Sequence, residues 1–420
     1  MYCRFLIFFC KKVLVLTSTF PKNLYDSVPL WVYDQLLSIK KRYESTNFLV
    51  LTPHYYDKKP DVNDLEIDQI RYHYFWPFKF EKLVGRGILP AIKKNKLYFF
   101  LIPFFLISQL ITTITYVKKF KPDIIYAHWF FPQALTALIV KKILGVPYVF
   151  TTHAYDAVIM KRIPLFGKYI AKKIIENSNS YTSDSLNAET KLHSFFENKS
   201  WKSEKSLVLP MPVEFRDNLK VSENVIEVTK ESNSKEKVLL YIGRFASKKG
   251  VNLLIEIFSH LNNEIGNIKL IIAGGGQELE KYKKKVTSLK LDDKVCFLGY
   301  VNSTEKKLLY NFSDLAIVPS IKTNLGDEEG LPVVVLESLN SSTITVASYQ
   351  SNAGEVIINE VNGFLFNPEN LDDSLKIFKK VTSLNESAVK NIIKSASISG
   401  SKFLSENTSE LFYKHLFEDI

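Results

Sequence analysis

Glu329-Gly330-Leu331-Pro332-Val333-Val334-Val335-Leu336-Glu337 sets two acids eight residues apart, the first running straight into Gly-Leu-Pro. Pro332 suits the first helical position, and the Val-Val-Val-Leu after it can bury one side of a helix. The spacing predicts a helix opening at Pro332. Glu329, Gly330 and Leu331 then lie at its mouth, where free backbone N–H groups favour an anion. Glu337 falls about two turns further on, on roughly the same face. A mouth flanked by carboxylates is a seat for a nucleotide sugar, with amides on the diphosphate and carboxylates on sugar or ribose hydroxyls. An ordinary amphipathic helix with two exposed acids has the same pattern, so the run needs support from elsewhere.

Support comes from upstream. Val238-Leu239-Leu240-Tyr241-Ile242 reads as a buried strand, Gly243-Arg244-Phe245-Ala246-Ser247-Lys248-Lys249-Gly250 as a basic loop, and Val251 to Leu261 as a helix. Strand, glycine-containing loop and helix make a generic phosphate site. Arg244 offers a two-donor clamp and Lys249 a point charge. A solvated surface turn carries Lys-Lys pairs equally well.

Further segments follow in order. Leu270-Ile271-Ile272-Ala273-Gly274-Gly275-Gly276 reads as a strand ending in a glycine turn, and Phe297-Leu298-Gly299-Tyr300-Val301 as a short strand. Ser313 to Ser320 reads as the strand before the acidic run, and Glu360 to Phe366 as the turn after it. Together these motifs, spanning Val238 to Phe366, resemble glycosyltransferase family 4, the retaining GT-B enzymes also called glycosyl transferases group 1. The N-terminal half resembles the family less tightly. The matching runs are Lys12 to Pro21, Lys121 to Phe130 with His128, Val146 to Asp156 with His153, and Val208 to Glu214.

The resemblance implies a division of labour. Gly243, Arg244, Lys249, Gly274, Gly276, Glu329, Gly330, Leu331, Pro332 and Glu337 would bind the donor, with Glu337 on the ribose and Glu329 near the sugar. Arg244 and Lys249 would neutralise the departing nucleoside diphosphate. His153 would bond the donor sugar or orient the acceptor, with Asp156 fixing the imidazole or binding acceptor and His128 beside them. His153, Arg244, Lys249 and Glu329 form the expected catalytic set. The chain also departs from the pattern. The first-strand loop, Pro21-Lys22-Asn23-Leu24-Tyr25-Asp26, lacks the usual Gly-Gly, and instead Trp31 and Gln35 fit the aromatic-x-x-x-Gln helix of a family subset. Ala154 and Ser351-Asn352-Ala353-Gly354-Glu355 replace family glycine positions. These changes bear on the acceptor and the sugar.

Alternating strand and helix patterns in both halves imply α/β architecture with two Rossmann-like, doubly wound parallel sheets. The resemblance adds that they face an interdomain cleft, as in GT-B. The expected divisions are an acceptor domain 1–213, a polar linker 214–237, a nucleotide-sugar domain 238–400 and a helix 401–420 crossing back to the first domain. A chain of 420 residues, 46% hydrophobic, is long enough for two such cores.

Charge is uneven. Residues 1–210 carry 30 Lys and Arg against 16 Asp and Glu, and the remainder 25 against 28. A basic acceptor domain suits an anionic membrane surface or a lipid-diphosphate acceptor. Nucleic acid would feel the same field, but no nucleic-acid motif accompanies it. Leu97 to Val117 is 21 residues without a charge, flanked by lysines, which is long enough to span a bilayer. Strands expected in one sheet lie on either side of it, so the reading is a buried or membrane-dipping helix. Lys168 to Lys173 adds electrostatic docking.

Met1 to Cys10 is short for a secretory leader and reads as an extension or a misplaced start. Cys3, Cys10 and Cys296 form neither metal spacing nor a disulfide framework. A cytoplasmic location, peripheral on the inner face of the plasma membrane, follows as the expectation. No Asp-x-Asp and no His-Glu-x-x-His occurs, so no metal and no cofactor are expected, the nucleotide sugar being a substrate. The expected activity is transfer of a sugar to a lipid-linked glycan in surface polysaccharide synthesis. A GT-B sugar-nucleotide-modifying enzyme and a non-catalytic sugar-binding scaffold stay open. A Rossmann dehydrogenase would need Gly-x-Gly-x-x-Gly after the first strand, which is absent.

Overall fold

A computed structural model describes residues 10–56, 64–85, 88, 91–92, 95–153, 160–161, 163, 166–196, 204–230, 236–323 and 328–418. The chain divides into two compact units, Met1–Pro212 with Ser405–Ile420, and Val213–Leu404.

In the first unit β1 (Lys12–Leu16), β2 (Asn47–Pro53), β3 (Asp68–Tyr72), β4 (Ile124–His128), β5 (Tyr148–Thr152), β6 (Tyr181–Ser183) and β7 (Ser206–Val208) form one sheet, in the order β3-β2-β1-β4-β5-β6-β7. Every pairing is parallel, from Leu14 opposite Leu49 and Ile125 to Thr151 opposite Thr182. β1 is apolar on both faces because both are covered. Leu14 and Leu16 pack with Ala127, Phe130 and Phe150, while Val13 and Val15 pack with Val32, Leu36 and Phe417.

The second sheet repeats the plan. β8 (Lys237–Ile242), β9 (Ile268–Ala273), β10 (Val295–Gly299), β11 (Leu315–Val318), β12 (Ile344–Ser348) and β13 (Phe364–Phe366) run parallel in the order β10-β9-β8-β11-β12-β13. Leu239 and Tyr241 face helix Val251–Ile265, whose Leu254, Ile255, Phe258 and Leu261 recur at helical spacing. Leu240 and Ile242 face Val225, Val228, Leu309 and Tyr310. In each sheet the order reverses beside the first strand of its unit, the place where such folds gather ligands at the strands' carboxyl ends.

Two sequence expectations are corrected, and one left open is narrowed. The stretch 214–237 is not a linker: it carries helix Glu223–Lys230, whose Val225 and Val228 lie in the second unit's core. A single helix over 401–420 is not formed. Helix Glu386–Ser401 ends there, and Ser405–Tyr413 starts a new one that belongs to the first unit. Of the two readings left open for helix Ile102–Phe120, the buried one does not hold, and the pairing of strands on either side again argues against a span. The buried positions are Phe105, Gln109, Thr113 and Val117, and β1 hydrogen-bonds to both β2, before the helix, and β4, after it. A crossing would part those strands.

Candidate active site

In the second unit the loop after β8 and the turn after β9 lock together. Gly243 N–H donates to Ala273 O at 3.0 Å, Phe245 N–H to Gly275 O at 2.8 Å and Gly274 N–H to Gly299 O at 2.6 Å. Gly274 sits at φ +134°, and a Cβ there would stand 1.9 Å from Gly243 O, so only glycine fits. The amides of Gly243 and Gly274 are thus committed to protein acceptors. A Cβ at Gly276 would meet Phe245 O at 2.2 Å. These glycines bring strand ends together and thereby aim the basic loop.

That loop meets the acidic run. Gly250, at φ +68°, lets the backbone approach Pro319 O, where a Cβ would lie 1.8 Å away. Lys249 Nζ stands 3.0 Å from Glu329 Oε2 and Lys248 Nζ 3.5 Å from Oε1. Lys248 also donates to Glu328 O at 3.2 Å, and Asn352 Nδ2 holds Glu329 O at 2.7 Å. Burial pushes the Glu329 carboxyl up, but the charges of Lys249, Lys248 and Arg244 outweigh it and hold the group below its usual range. Arg244 itself is exposed. The second unit therefore presents a desolvated carboxylate ringed by three cations at the carboxyl end of its sheet.

The helix is Val333–Leu339, with Pro332 as the residue before it, at ψ 130°. Gly330 and Leu331 bend into the helix and Pro332 is still extended, so Glu329 does not share a helical face with Glu337. Leu331 is core, packed with Val335 and Leu339. Glu337 accepts from Lys306 Nζ at 2.7 Å and from Tyr310 Oη at 3.0 Å. Burial, then the Glu337 charge, push the Tyr310 phenol up, so it stays a donor. Each carboxylate oxygen keeps a lone pair for a further hydroxyl. Lys306 and Tyr310 carry no motif of their own, and sequence reading missed them.

In the first unit His128 ends β4 and His153 follows β5. Their rings stack 5.9 Å apart, and Trp31 and Trp129 stand 4.7 and 4.5 Å from His153. His153 Nδ1 lies 3.2 Å from Asp184 Oδ2, just past β6. Asp184 is thus placed to orient the imidazole; Asp156 lies outside the described residues. His128 is fully buried, and neither ring nitrogen has a hydrogen-bond partner among the described residues. Burial, then the neighbouring His153, hold His128 well below its usual value and keep it neutral. Trp31 opens helix Trp31–Arg42, and one turn on Gln35 accepts from Tyr126 Oη at 3.0 Å. The aromatic-x-x-x-Gln reading thus places its tryptophan on the histidine pair and its glutamine beneath.

Two parallel doubly wound units, a lysine–glutamate cluster in one and an aromatic-boxed histidine pair in the other, define a GT-B sugar transferase. The chain belongs to glycosyltransferase family 4: the description Glycosyl transferases group 1 matches residues 223–397 and Glycosyltransferase Family 4 matches residues 49–195. An uncharacterised glycosyltransferase of Methanocaldococcus jannaschii is 24% identical over 74% of this chain and 78% of its own. The alpha-monoglucosyldiacylglycerol synthase of Streptococcus pneumoniae is 25% identical over 59% and 57%. A Campylobacter jejuni N-acetylgalactosaminyltransferase named for an undecaprenol-diphosphate-linked glycan is 32% identical over 36% and 39%. Among solved structures, sucrose-phosphate synthase of Thermosynechococcus elongatus superposes with TM-score 0.74 at 16% identity, covering 96% of this chain and 98% of that one. Anabaena HepE in complex with UDP-glucose does so at 0.69 and 16%, with the same coverage.

Proposed function

We propose that this transferase moves a sugar, with retention of configuration, from a nucleotide sugar to a lipid-linked glycan in surface polysaccharide synthesis. The observation that carries the reading is the Lys248–Lys249–Glu329 cluster beside exposed Arg244. Lys249 and Arg244 neutralise the nucleoside diphosphate as its bond to the anomeric carbon breaks. Preorganised donors at such a developing anion are worth several kcal/mol each. Glu329 sits near the sugar and Glu337 takes the ribose hydroxyls through its remaining lone pairs. The acceptor hydroxyl attacks the anomeric carbon through an oxocarbenium-like state, with His153 orienting it or bonding the donor sugar. Lys249 and Arg244 do the work of a divalent ion on the diphosphate, so this step needs no metal.

A lipid acceptor is supported by the relatives named for lipid substrates and by helix Ile102–Phe120. Its exposed face is apolar: Phe104, Ile107 and Ile111 are 51 to 59% exposed, and Phe100, in the turn before it, 71%. Its buried face mixes Phe105 and Val117 with the polar Gln109 and Thr113. The exposed apolar face suits docking on the inner face of the plasma membrane from the cytoplasm.

The test is nucleoside diphosphate release from a panel of nucleotide sugars, with extracted membrane lipid present or absent and with or without added Mg²⁺ or Mn²⁺. Lipid-dependent turnover of one donor, unchanged by the ions and lost in Lys249→Ala, is the expected result. Donor binding without turnover on any lipid fraction would favour a sugar-binding scaffold.

A further inference from the structure

His54 lies just past β2 and His73 just past β3, while Glu81 follows the short helical turn Phe78–Phe80. Parallel pairing that ends with Pro53 opposite Tyr72 sets the two histidines side by side. Glu81 is fully buried. Its Oε2 lies 2.5 Å from His54 Nδ1 and 2.9 Å from His73 Nδ1. Its Oε1 accepts the backbone N–H groups of Tyr74 at 2.6 Å and Phe75 at 3.1 Å. One donor atom from each of the three side chains lies within 4.8 Å of the others. The His54 and His73 side chains are 19% and 45% exposed, so one side of the cluster opens to solvent. The Phe78 ring stacks on His73 at 3.8 Å and fixes its plane.

A buried carboxylate needs compensation on both oxygens. The backbone supplies it at Oε1. At Oε2 two imidazole nitrogens converge on one point. Two imidazoles and one carboxylate oxygen are the donor set of open zinc sites, whose fourth position goes to water. The backbone N–H groups on Oε1 are the outer-shell support that a ligating carboxylate carries.

We propose that His54, His73 and Glu81 bind one divalent transition-metal ion of the Zn²⁺ class, in a three-ligand site open to solvent. The ion ties the ends of β2 and β3 to the segment Tyr74–Lys82, which carries the exposed Trp76, Phe78 and Phe80. It fixes the presentation of those aromatics. The three residues fit no spaced motif and meet only through strand pairing. The inference is independent of the transferase reading, since none of its residues belongs to the donor loop or the histidine pair.

The full chain, stripped with a chelator and returned to chelator-free buffer, is titrated with Zn²⁺ by calorimetry and with Co²⁺ by visible absorption. One ion per chain is expected, with d–d bands of low coordination number for Co²⁺. His54→Ala and His73→Ala should each weaken binding by about 10–100-fold or more, and His260→Gln, on an exposed helix position, should leave it unchanged. Circular dichroism checks each variant. His73→Gln, at the more exposed ligand, keeps the test valid if the alanine variants fold poorly. Absence of stoichiometric binding to the wild type, or binding that the histidine substitutions leave intact, would overturn the site and leave a hydrogen-bonded His–Glu–His latch.

Discussion

Lys249 and Glu329 stand 80 residues apart in sequence and 3.0 Å apart in space, and the pair sets the first prediction. Removing Lys249 leaves a buried carboxylate less compensated and a diphosphate with one cation fewer. Lys249→Ala should lower kcat/KM by about 10²–10³-fold, read as nucleoside diphosphate release. His128 sets the second. Its folded value is depressed, so the unfolded chain takes up a proton first as pH falls. Its contribution to stability is full above the usual value of 6.5 and declines below it. Denaturation midpoints between pH 7.5 and about pH 5 should therefore fall, and less steeply in His128→Asn. Arg244, Lys249 and Glu329 were legible in the sequence because each lies in a contiguous run with its own turn chemistry. Asp184, Lys306 and Tyr310 were not, because their roles arise only when separate strands or helices pack. The glycine turn was legible as a turn, but the close backbone approach that Gly274 permits, and the partner of its amide, emerge only from the pairing of strand ends.

At the scale of elements, helix Ile102–Phe120 shows how composition hides a face. Twenty-one uncharged residues gave no periodic contrast, so the sequence could not distinguish a buried helix from an interfacial one. Packing resolves it. Gln109 Nε2 donates to Thr136 at 2.7 Å, and Tyr72 Oη donates to Gln109 Oε1 at 3.2 Å, which turns the polar side inward. The Phe75 and Phe104 rings, 5.3 Å apart, join this helix to the segment bearing Trp76, Phe78 and Phe80. The third prediction is that the chain sediments with vesicles containing anionic lipid and that Phe100→Glu with Phe104→Glu reduces the bound fraction at least about tenfold, since burying each aromatic side chain contributes about 1.5–3 kcal/mol. Both residues are exposed, so the fold should be retained by circular dichroism, with the melting temperature lowered only by loss of the Phe104–Phe75 ring contact. Equal sedimentation of variant and wild type would remove this face from the docking argument. The helix boundary at Pro332 was misplaced for a similar reason: proline fits either side of a helix start, and only the extended ψ decides.

At the scale of the whole chain, the two units differ in how they are threaded. The second is one continuous stretch, Val213–Leu404, whereas the first is completed by residues from the far end of the sequence. Phe412, Leu416 and Phe417 are fully buried against β1 and helix Trp31–Arg42. Tyr413 stacks on Tyr43 at 3.7 Å, and Ser180 Oγ donates to His415 O at 2.8 Å. The sequence indicated a returning helix only through family resemblance, because nothing local in a short amphipathic segment names its partner. The last prediction follows from this asymmetry. Residues 213–404 expressed alone should fold with a cooperative transition and, if the donor reading holds, bind a nucleoside diphosphate through Lys249 and Arg244. Residues 1–212 alone expose the surface that Phe412 and Phe417 cover and should aggregate or melt without cooperativity. In the full chain Phe417→Ala should cost about 3–5 kcal/mol in the unfolding of the first unit alone, resolved by denaturant titration. The midpoint of the second unit should stay unmoved. A cooperative, monomeric 1–212 fragment would mean that the returning segment is an ornament on a core that is already complete.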